Sequence, residues 1–189
     1  MHYKAVPLSL MLLLCTSLSF AQSPIQSSES MPSLMRMDPE KSILKNTESS
    51  KNHQMLLAVM RASDLEEILG QSGPFTVFAP SDTAFEKLSK AKIDELLLPE
   101  NKKELQSLMR YHIIAGNFSA SKILKAMCRG AGKASFTTVQ GDEITASMQG
   151  LDIILTDNLG NTARITTADY NQCNGVIHEI DSVIRPSKI

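Results

Sequence analysis

The sequence of 189 residues predicts an α+β fold, with helices in the first half of the chain and a β meander in the second. Apolar residues recur at helical spacing between residues 46 and 127. Residues 135–148 and 152–168 instead predict short strands, because they are rich in Thr, Val and Ile and are separated by turn residues. Helices followed by strands are typical of the α+β class. The composition, 42% apolar and 21% charged, is that of an ordinary globular protein.

Residues 1–21 predict a secretory signal peptide. Lys4 is the only formally charged residue there, and an apolar stretch follows it. Ser19 and Ala21 place small residues at the two positions that a signal peptidase recognises, so cleavage is expected after Ala21. This predicts a secreted or extracellular protein, or a periplasmic one in a bacterium. An uncleaved N-terminal anchor is the alternative, although the stretch is short for a membrane span.

Residues 22–45 predict a Ser/Pro-rich disordered tether, because they show no apolar period. The folded domain is expected over residues 46–187. Loss of residues 1–21 would remove Lys4 and no acid, leaving a net charge near −2. There is therefore no overall basic surplus to drive binding to nucleic acid.

The first helices of the domain are indicated by apolar spacing and by caps. Met55, Leu56, Val59 and Met60 have helical spacing. The run Ser63-Asp64-Leu65-Glu66 is a capping box that predicts a new helix, which Gly70 would end.

A short buried strand is predicted over residues 75–79, bounded by Pro80. Ser81 can cap the helix that follows, and Asp82 suits its first turn. Two further helices are expected, one around Ile93, Leu96 and Leu97 and one around Leu105, Leu108 and Met109, which continues toward Tyr111.

The second half begins with a strand at Ile113-Ile114 and a helix that Ser119 can cap. Ile144, Ala146 and Met148 alternate with polar residues, which predicts a strand with one buried face. Residues 176–184 predict a last pair of strands.

Three stretches of the chain carry a family signature. They are residues 73–85 (GPFTVFAPSDTAF), 111–116 (YHIIAG) and 174–184 (NGVIHEIDSVI). Together, and in this order, they resemble the fasciclin domain, and the resemblance covers nearly all of the chain after the signal peptide. The motif residues on which it rests most are Phe75, Pro80, Ser81, Asp82, Phe85, Asn174, Gly175, His178 and Asp181.

The resemblance implies a β-wedge or sandwich of about seven strands with several helices on its flank. It also implies a non-enzymatic adhesion module whose partner is a cell-surface or extracellular-matrix protein or polysaccharide. In animal matrix members, a Tyr-His pair and an Asp-Ile pair contribute to integrin contact. Tyr111 and His112 match the first pair, whereas Asp169 is followed by Tyr170 in place of isoleucine.

His112 and His178 each lie beside isoleucines, which leaves two interpretations open. Each ring can bond a backbone group and tie a loop to the sheet, since buried polar groups are normally hydrogen-bonded. Alternatively, Tyr111 and His112 contact a partner together. The sequence shows neither metal-ligand spacing nor a Gly-x-Ser-x-Gly elbow, so we expect no metal, no cofactor and no enzymatic activity.

Further expectations concern the cysteines, one asparagine and a second function. Cys128 and Cys173 are expected to form a disulfide in an exported chain, with two free thiols as the alternative. Asn117 begins an Asn-Phe-Ser sequon that a glycosylating host would modify. The alternative function is a carrier of a hydrophobic small molecule, a lipid or a pigment, which the resemblance permits because some fasciclin relatives are linked to such ligands. Most of the ten methionines are expected to fill the core, although adaptable methionine surfaces can also bind apolar ligands.

Overall fold

The computed structural model describes residues 37–70 and 73–187 of the chain. The strands are β1 (Phe75–Pro80), β2 (Ile113–Ala115), β3 (Lys133–Thr137), β4 (Glu143–Gln149), β5 (Asp152–Thr156), β6 (Thr162–Gln172) and β7 (Gly175–Ile180). The α-helices are α1 (Ile43–Ser49), α2 (Gln54–Ala62), α3 (Leu65–Leu69), α4 (Asp82–Glu86), α5 (Lys90–Leu96), α6 (Lys102–Tyr111) and α7 (Ala120–Arg129). The α+β class is thereby confirmed.

All seven strands belong to one sheet, in the order β2-β1-β7-β6-β5-β4-β3. Only the central β1–β7 pair among these neighbours is parallel. The sheet also curls back on itself: Ile114 bridges Thr138, and the Val139 N–H donates to the Ile113 carbonyl oxygen at 2.8 Å. The predicted β-wedge of about seven strands is therefore confirmed, in the form of a nearly closed barrel.

The three signature stretches form three neighbouring strands, β2, β1 and β7. Val77 of β1 pairs with Ile113 on one side and with Ile177 on the other. Gly175 lies opposite Phe75, and a Cβ atom on Gly175 would stand 2.0 Å from the Phe75 carbonyl oxygen. A side chain at this position would collide with backbone, which explains the glycine at the start of β7.

The central strands separate two hydrophobic cores. Val77 and Ala79 face the helices α1 to α6, together with the buried ring of Phe85. Phe78 points to the opposite face and packs with α7 and the β meander, where Ile144 and Leu155 are fully buried. Because successive strand residues alternate between faces, the short apolar run of β1 supplies both cores.

Polar motif residues hold the ends of the helices. The Ser81 side chain accepts from the Ala84 N–H and caps α4, as predicted. The Asp82 carboxylate also reaches across to α2, where it accepts from the Gln54 and Met55 N–H groups at 3.2 and 2.9 Å. These bonds satisfy donors that the first turn of α2 leaves without helical partners.

Asp181 has a similar role beyond β7. It accepts from the Arg164 N–H at 2.9 Å and lies 3.7 Å from the cationic groups of both Lys87 and Arg164. The motif residue therefore links the end of the signature to β6 and α4.

The folded region begins earlier than the sequence indicated. Residues 37–45, assigned above to the disordered tether, contribute to the fold: Ser42 caps α1, and the Ile43 side chain is only 1% exposed. The Ile43 N–H donates to Asn174 Oδ1 at 2.9 Å. The apolar spacing within the seven residues of α1 was too weak to predict this helix from the sequence. The predicted signal peptide and residues 22–36 of the tether lie outside the described residues.

Three local predictions differ from the structure. Ser63 does not start α3, because its hydroxyl donates to the Val59 and Met60 carbonyl oxygens and so closes α2. Residues 176–184 do not form a strand pair: only residues 176–180 are strand, within β7, and the chain leaves the sheet after Ile180. Met148 is 42% exposed, because the buried face of β4 ends at Ala146.

Among the described helices, none combines the length and the apolar character that a bilayer crossing requires.

Candidate functional site

Tyr111 and His112, the pair expected to contact a partner, both lie in the interior. Tyr111 closes α6, and its hydroxyl donates to the Glu143 carbonyl oxygen at 2.7 Å. His112 Nδ1 donates to the Leu108 carbonyl oxygen at 2.8 Å, one helical turn back. Both side chains have an exposed fraction of 0%. The pair therefore positions β2 against β1, and it offers no surface to a partner in this conformation.

Burial also fixes the charge state of His112. Removal from water lowers its pKa from 6.5 to about 4, although the bond to the Leu108 carbonyl oxygen opposes this shift. Nε2 is buried and has no hydrogen-bond partner among the described residues. At neutral pH the ring is uncharged, as a buried imidazole without an acidic partner must be.

His178 connects three segments of the structure. Its Nε2 donates to the Phe118 carbonyl oxygen at 2.7 Å, and its Nδ1 accepts from the Asp169 N–H at 3.2 Å. The ring stacks on Phe78 with 5.8 Å between centroids. Burial lowers the pKa of His178. The neutral ring thus uses one nitrogen as donor and the other as acceptor, and ties two loops to β7.

The loop of residues 116–119 is held to β1 by Thr76. The Thr76 hydroxyl donates to the Gly116 carbonyl oxygen at 2.6 Å and accepts from the Phe118 N–H at 2.9 Å. Gly116 has a φ of +113°, which glycine adopts without steric cost. Phe118 packs edge-on against Phe136, with 5.2 Å between ring centroids. The loop is therefore anchored at both its backbone and its aromatic side chain.

Asp169 lies in a bulge of β6, where the pairing with β7 shifts register between Thr167 and Tyr170. Asp169 is exposed and has a left-handed backbone, with φ at +63°. Its Oδ1 accepts from the Ala120 N–H at the start of α7, at 2.7 Å. Tyr170 is half-buried and packs against the helical core. We call Asp169, Tyr170 and the loop 116–119 the bulge site.

Of the residues predicted from the sequence, the structure brings Asp169, Tyr170 and Asn117 close to His178 and separates them from Tyr111 and His112. Asn117 is half-buried in the loop, and its carbonyl oxygen accepts from Lys122 Nζ at 2.6 Å.

The sequence analysis did not predict the role of Thr76 in holding the loop. A polar residue inside an otherwise apolar strand was the available signal, because a buried hydroxyl requires partners.

The expected disulfide is wrong for this structure: Cys128 and Cys173 are both free and exposed. Cys128 lies on the solvent side of α7, which packs on β3 and β4. Cys173 lies in the β6–β7 turn, where its N–H donates to the Lys41 carbonyl oxygen at 3.0 Å. The two thiols therefore belong to different parts of the fold, and sequence spacing could not reveal this.

A groove of about 470 Å³ opens beside the bulge site. Its lining residues are mostly small or polar, and they are Ser42, Gly70, Gly73, Pro74, Asn117, Gln172, Cys173, Asn174 and Gly175.

Within residues 37–70 and 73–187, no group of three or more His, Cys, Asp or Glu side chains could hold a metal ion.

We predict that His178→Ala lowers the free energy of unfolding by about 3 kcal/mol, because it removes a buried ring that stacks on Phe78 and leaves the half-buried Phe118 carbonyl and Asp169 N–H without their shared partner. Urea unfolding followed by circular dichroism would measure this. Thr162→Ala, on the exposed face of the neighbouring strand, is the control and should change little. Equal stabilities of the two variants would contradict the linking role of His178.

Comparisons with known proteins agree on one family. The chain matches the model of the Fasciclin domain over residues 51–186. It is 32% identical over 149 residues to Protein sll1483 of Synechocystis sp., covering 79% of this chain and 76% of that protein. It is 33% identical over 124 residues to periostin of Homo sapiens, covering 66% of this chain and 13% of periostin.

A solved structure shows the same fold. It is a FAS1 domain pair from the insect cell adhesion molecule Fasciclin I, and the likeness has a TM-score of 0.67. The sequences are 17% identical, and the match covers 76% of this chain and 50% of the other.

Proposed function

Because the chain belongs to the fasciclin domain family, we propose that it is a secreted, non-enzymatic adhesion or interaction module that binds an extracellular partner. The solved FAS1 domain pair comes from an insect cell adhesion molecule, which supports this assignment. Secretion rests on the signal peptide predicted over residues 1–21. The partner we expect is a protein or polysaccharide of the cell surface or the extracellular matrix.

The observation that carries the proposal is the preorganised bulge site. A left-handed backbone at a residue other than glycine carries strain, and strained residues cluster at binding sites. Bulges likewise turn side chains toward a particular direction. Here the Ala120 N–H and the His178 ring hold Asp169 in place, so its carboxylate is exposed yet fixed. A fixed group loses little conformational entropy when a partner binds.

Tyr111 and His112 support the bulge site indirectly, through buried contacts. The His112 carbonyl oxygen accepts from the Phe78 N–H at 2.9 Å, and Phe78 stacks on His178, which holds Asp169. In this proposal the Tyr-His pair acts through β1 and β7, and Asp169 and Tyr170 make the contact.

We predict that Asp169→Asn weakens partner binding at least about fivefold, as expected for a residue near the centre of an interface. Asparagine keeps the oxygen that accepts from Ala120, so the change removes charge and little structure. Adhesion of beads coated with the exported protein to intact cells of its source organism would measure binding. That protein should begin at Gln22.

The matched control is Asp94→Asn, which removes the same charge from an exposed position on α5. Wild-type adhesion by Asp169→Asn and by Tyr170→Ala would remove the bulge site from the interface. Absence of adhesion by the wild-type protein would contradict the proposed function itself.

Neither of two cavities in the described part of the chain favours the carrier alternative, since the groove of about 470 Å³ beside the bulge site is lined mostly by small or polar residues. The apolar cavity between α2, α5 and α6, lined by residues such as Val59 and Leu105, offers only about 10 Å³. A single water molecule already needs about that much room. A lipid chain or a pigment would require a rearranged core.

A further inference from the structure

The solvent-facing side of α7 carries a row of cations. Lys122, Lys125 and Arg129 are exposed, whereas Ile123 and Met127 on the opposite side are buried in the core. Positions three and four apart lie on the same face of a helix, so the three cations form one row. Lys133, exposed at the start of β3, continues this row beyond the turn that follows α7. We call these four residues the basic stripe.

No acid neutralises the basic stripe along the sequence or across the fold. Residues 105–141 contain no Asp or Glu, although the whole chain has a net charge of −1. Within the described part of the chain, none of the four cations has an ion pair. By contrast, Arg61 contacts the carboxylates of Glu48 and Glu66. The basic stripe is therefore a local surplus of positive charge.

The shape of the stripe suits a linear polymer. From residue 122 to residue 129 a helix rises about 10 Å, so the cations are spaced along a ridge. A ridge of separate charges fits a chain that bears anionic groups at intervals, and release of counterions would favour such binding. The polymer is expected to lie along this ridge, between Lys122 and Lys133.

Other anionic partners fit this surface less well. A membrane-bound amphipathic helix inserts its apolar face, but that face of α7 is occupied by the core, and Leu124 is only 38% exposed. Protein interfaces are depleted in lysine. Single-stranded nucleic acid stacks on aromatic rings, whereas Phe118 and Phe136 pack against each other.

We propose that the basic stripe binds a linear acidic polysaccharide, one that carries sulfate or carboxylate groups. The basic stripe adjoins the bulge site at Lys122, whose Nζ bonds the Asn117 carbonyl oxygen. The proposal stands whether or not the bulge site binds a partner of its own.

Heparin, a sulfated polysaccharide, is the first probe, and neutral dextran is its control. The full chain should bind heparin with an affinity that falls steeply as the salt concentration rises, and it should not bind dextran. The triple variant Lys122→Gln, Lys125→Gln, Arg129→Gln should lose on the order of 100-fold in affinity, at about fivefold for each charge. The matched variant Lys51→Gln, Lys90→Gln, Lys103→Gln removes the same charge from other exposed positions and should bind nearly as the wild type does.

The free thiols of Cys128 and Cys173 allow a protection experiment in which one cysteine serves as the internal control for the other. Cys128 is exposed within the basic stripe, and Cys173 is exposed elsewhere. Bound heparin should slow alkylation of Cys128 by iodoacetamide several-fold and leave the rate at Cys173 unchanged.

Several results would overturn the proposal. Equal losses in the two triple variants would show attraction by net charge alone. Tighter binding to phosphatidylglycerol vesicles or to polyglutamate than to heparin would assign the stripe to a membrane or to an acidic protein. Absence of heparin binding at low salt, or equal protection of both thiols, would also refute it. Asp169→Asn should bind heparin normally, which separates this test from that of the proposed function.

Discussion

Acidification from pH 7 to pH 4 is expected to remove several kcal/mol from the free energy of unfolding, because three histidines are buried in their neutral form. His53, His112 and His178 are each at most 1% exposed. Burial lowers the pKa of His53 to about 4, although Asp82 opposes the shift and Glu179 lies 3.8 Å from Nε2. Burial is thus the dominant effect at this site too.

The direction of the effect follows from proton linkage. An unfolded histidine binds a proton below about pH 6.5, whereas His53 and His112 in the folded protein bind one only near pH 4. The unfolded state therefore takes up more protons between these values. Stability is complete above pH 6.5 and falls as the pH drops toward 4, by about 3 kcal/mol for each of the two residues. His178, whose pKa is also lowered, adds to the loss.

Urea unfolding at pH 7.5, 5.5 and 4.5, followed by circular dichroism, would measure this dependence. His112→Gln should be less stable than the wild type at pH 7.5, yet should lose less stability on acidification. A midpoint of unfolding that stays constant from pH 7.5 to 4.5 would contradict the burial of neutral histidines.

Removal of residues 1–50 is expected to destabilise the domain by about 5 kcal/mol or more, even though the family match begins at residue 51. Loss of a buried isoleucine such as Ile43 alone costs about 2–5 kcal/mol. Removal of α1 also takes Asn46 away from Gln172 and the Ile43 N–H away from Asn174, and buried polar groups without partners cost about 1–3 kcal/mol each. The sum is comparable to the whole stability of a typical domain.

A chain that starts at Met37 is the matched control, since it keeps α1 and removes only the residues before it. We expect this chain to unfold at the same urea concentration as one that starts at Gln22. If the chain that starts at residue 51 shared that midpoint, α1 would be an accessory element and not part of the core.

Much of the fold was accessible to sequence reasoning because its signals are local. The strand at 75–79 stands between turn residues, and Ser81 and Ser119 cap helices with the side-chain bonds that their positions predict. The seven-stranded architecture came from the three signature stretches taken together. Their pairing as β2, β1 and β7 explains why they recur as a set, since each strand needs the next for its hydrogen bonds.

Features that depend on tertiary contacts were missed. Helix α1 has little amphipathic pattern of its own and is stabilised by Asn174, far along the chain. Ser63 had the spacing of a capping box, but its hydroxyl bonds backward to α2. Local rules cannot decide between such competing partners.

The candidate site was only partly predictable for the same reason. Asp169 and Tyr170 were selected from the sequence, and the structure places Asp169 in an exposed bulge with the half-buried Tyr170 directly after it. The burial of Tyr111 and His112 follows from the register of β2 beside β1, which the sequence does not specify. The interpretation of His178 as a ring that ties loops to the sheet agrees with its bonds to Phe118 and Asp169.

The parallel pairing of β1 with β7 has a consequence for the order of events during synthesis. Phe75 of β1 can pair with Gly175 only after residue 175 has been synthesised, so the centre of the sheet stays incomplete while residues 81–174 leave the ribosome. Contacts between such distant residues form late and slowly. Until then β1 can pair only with β2, and its other edge stays unpaired and open to capture by chaperones. Closure of the sheet therefore marks the completion of the domain.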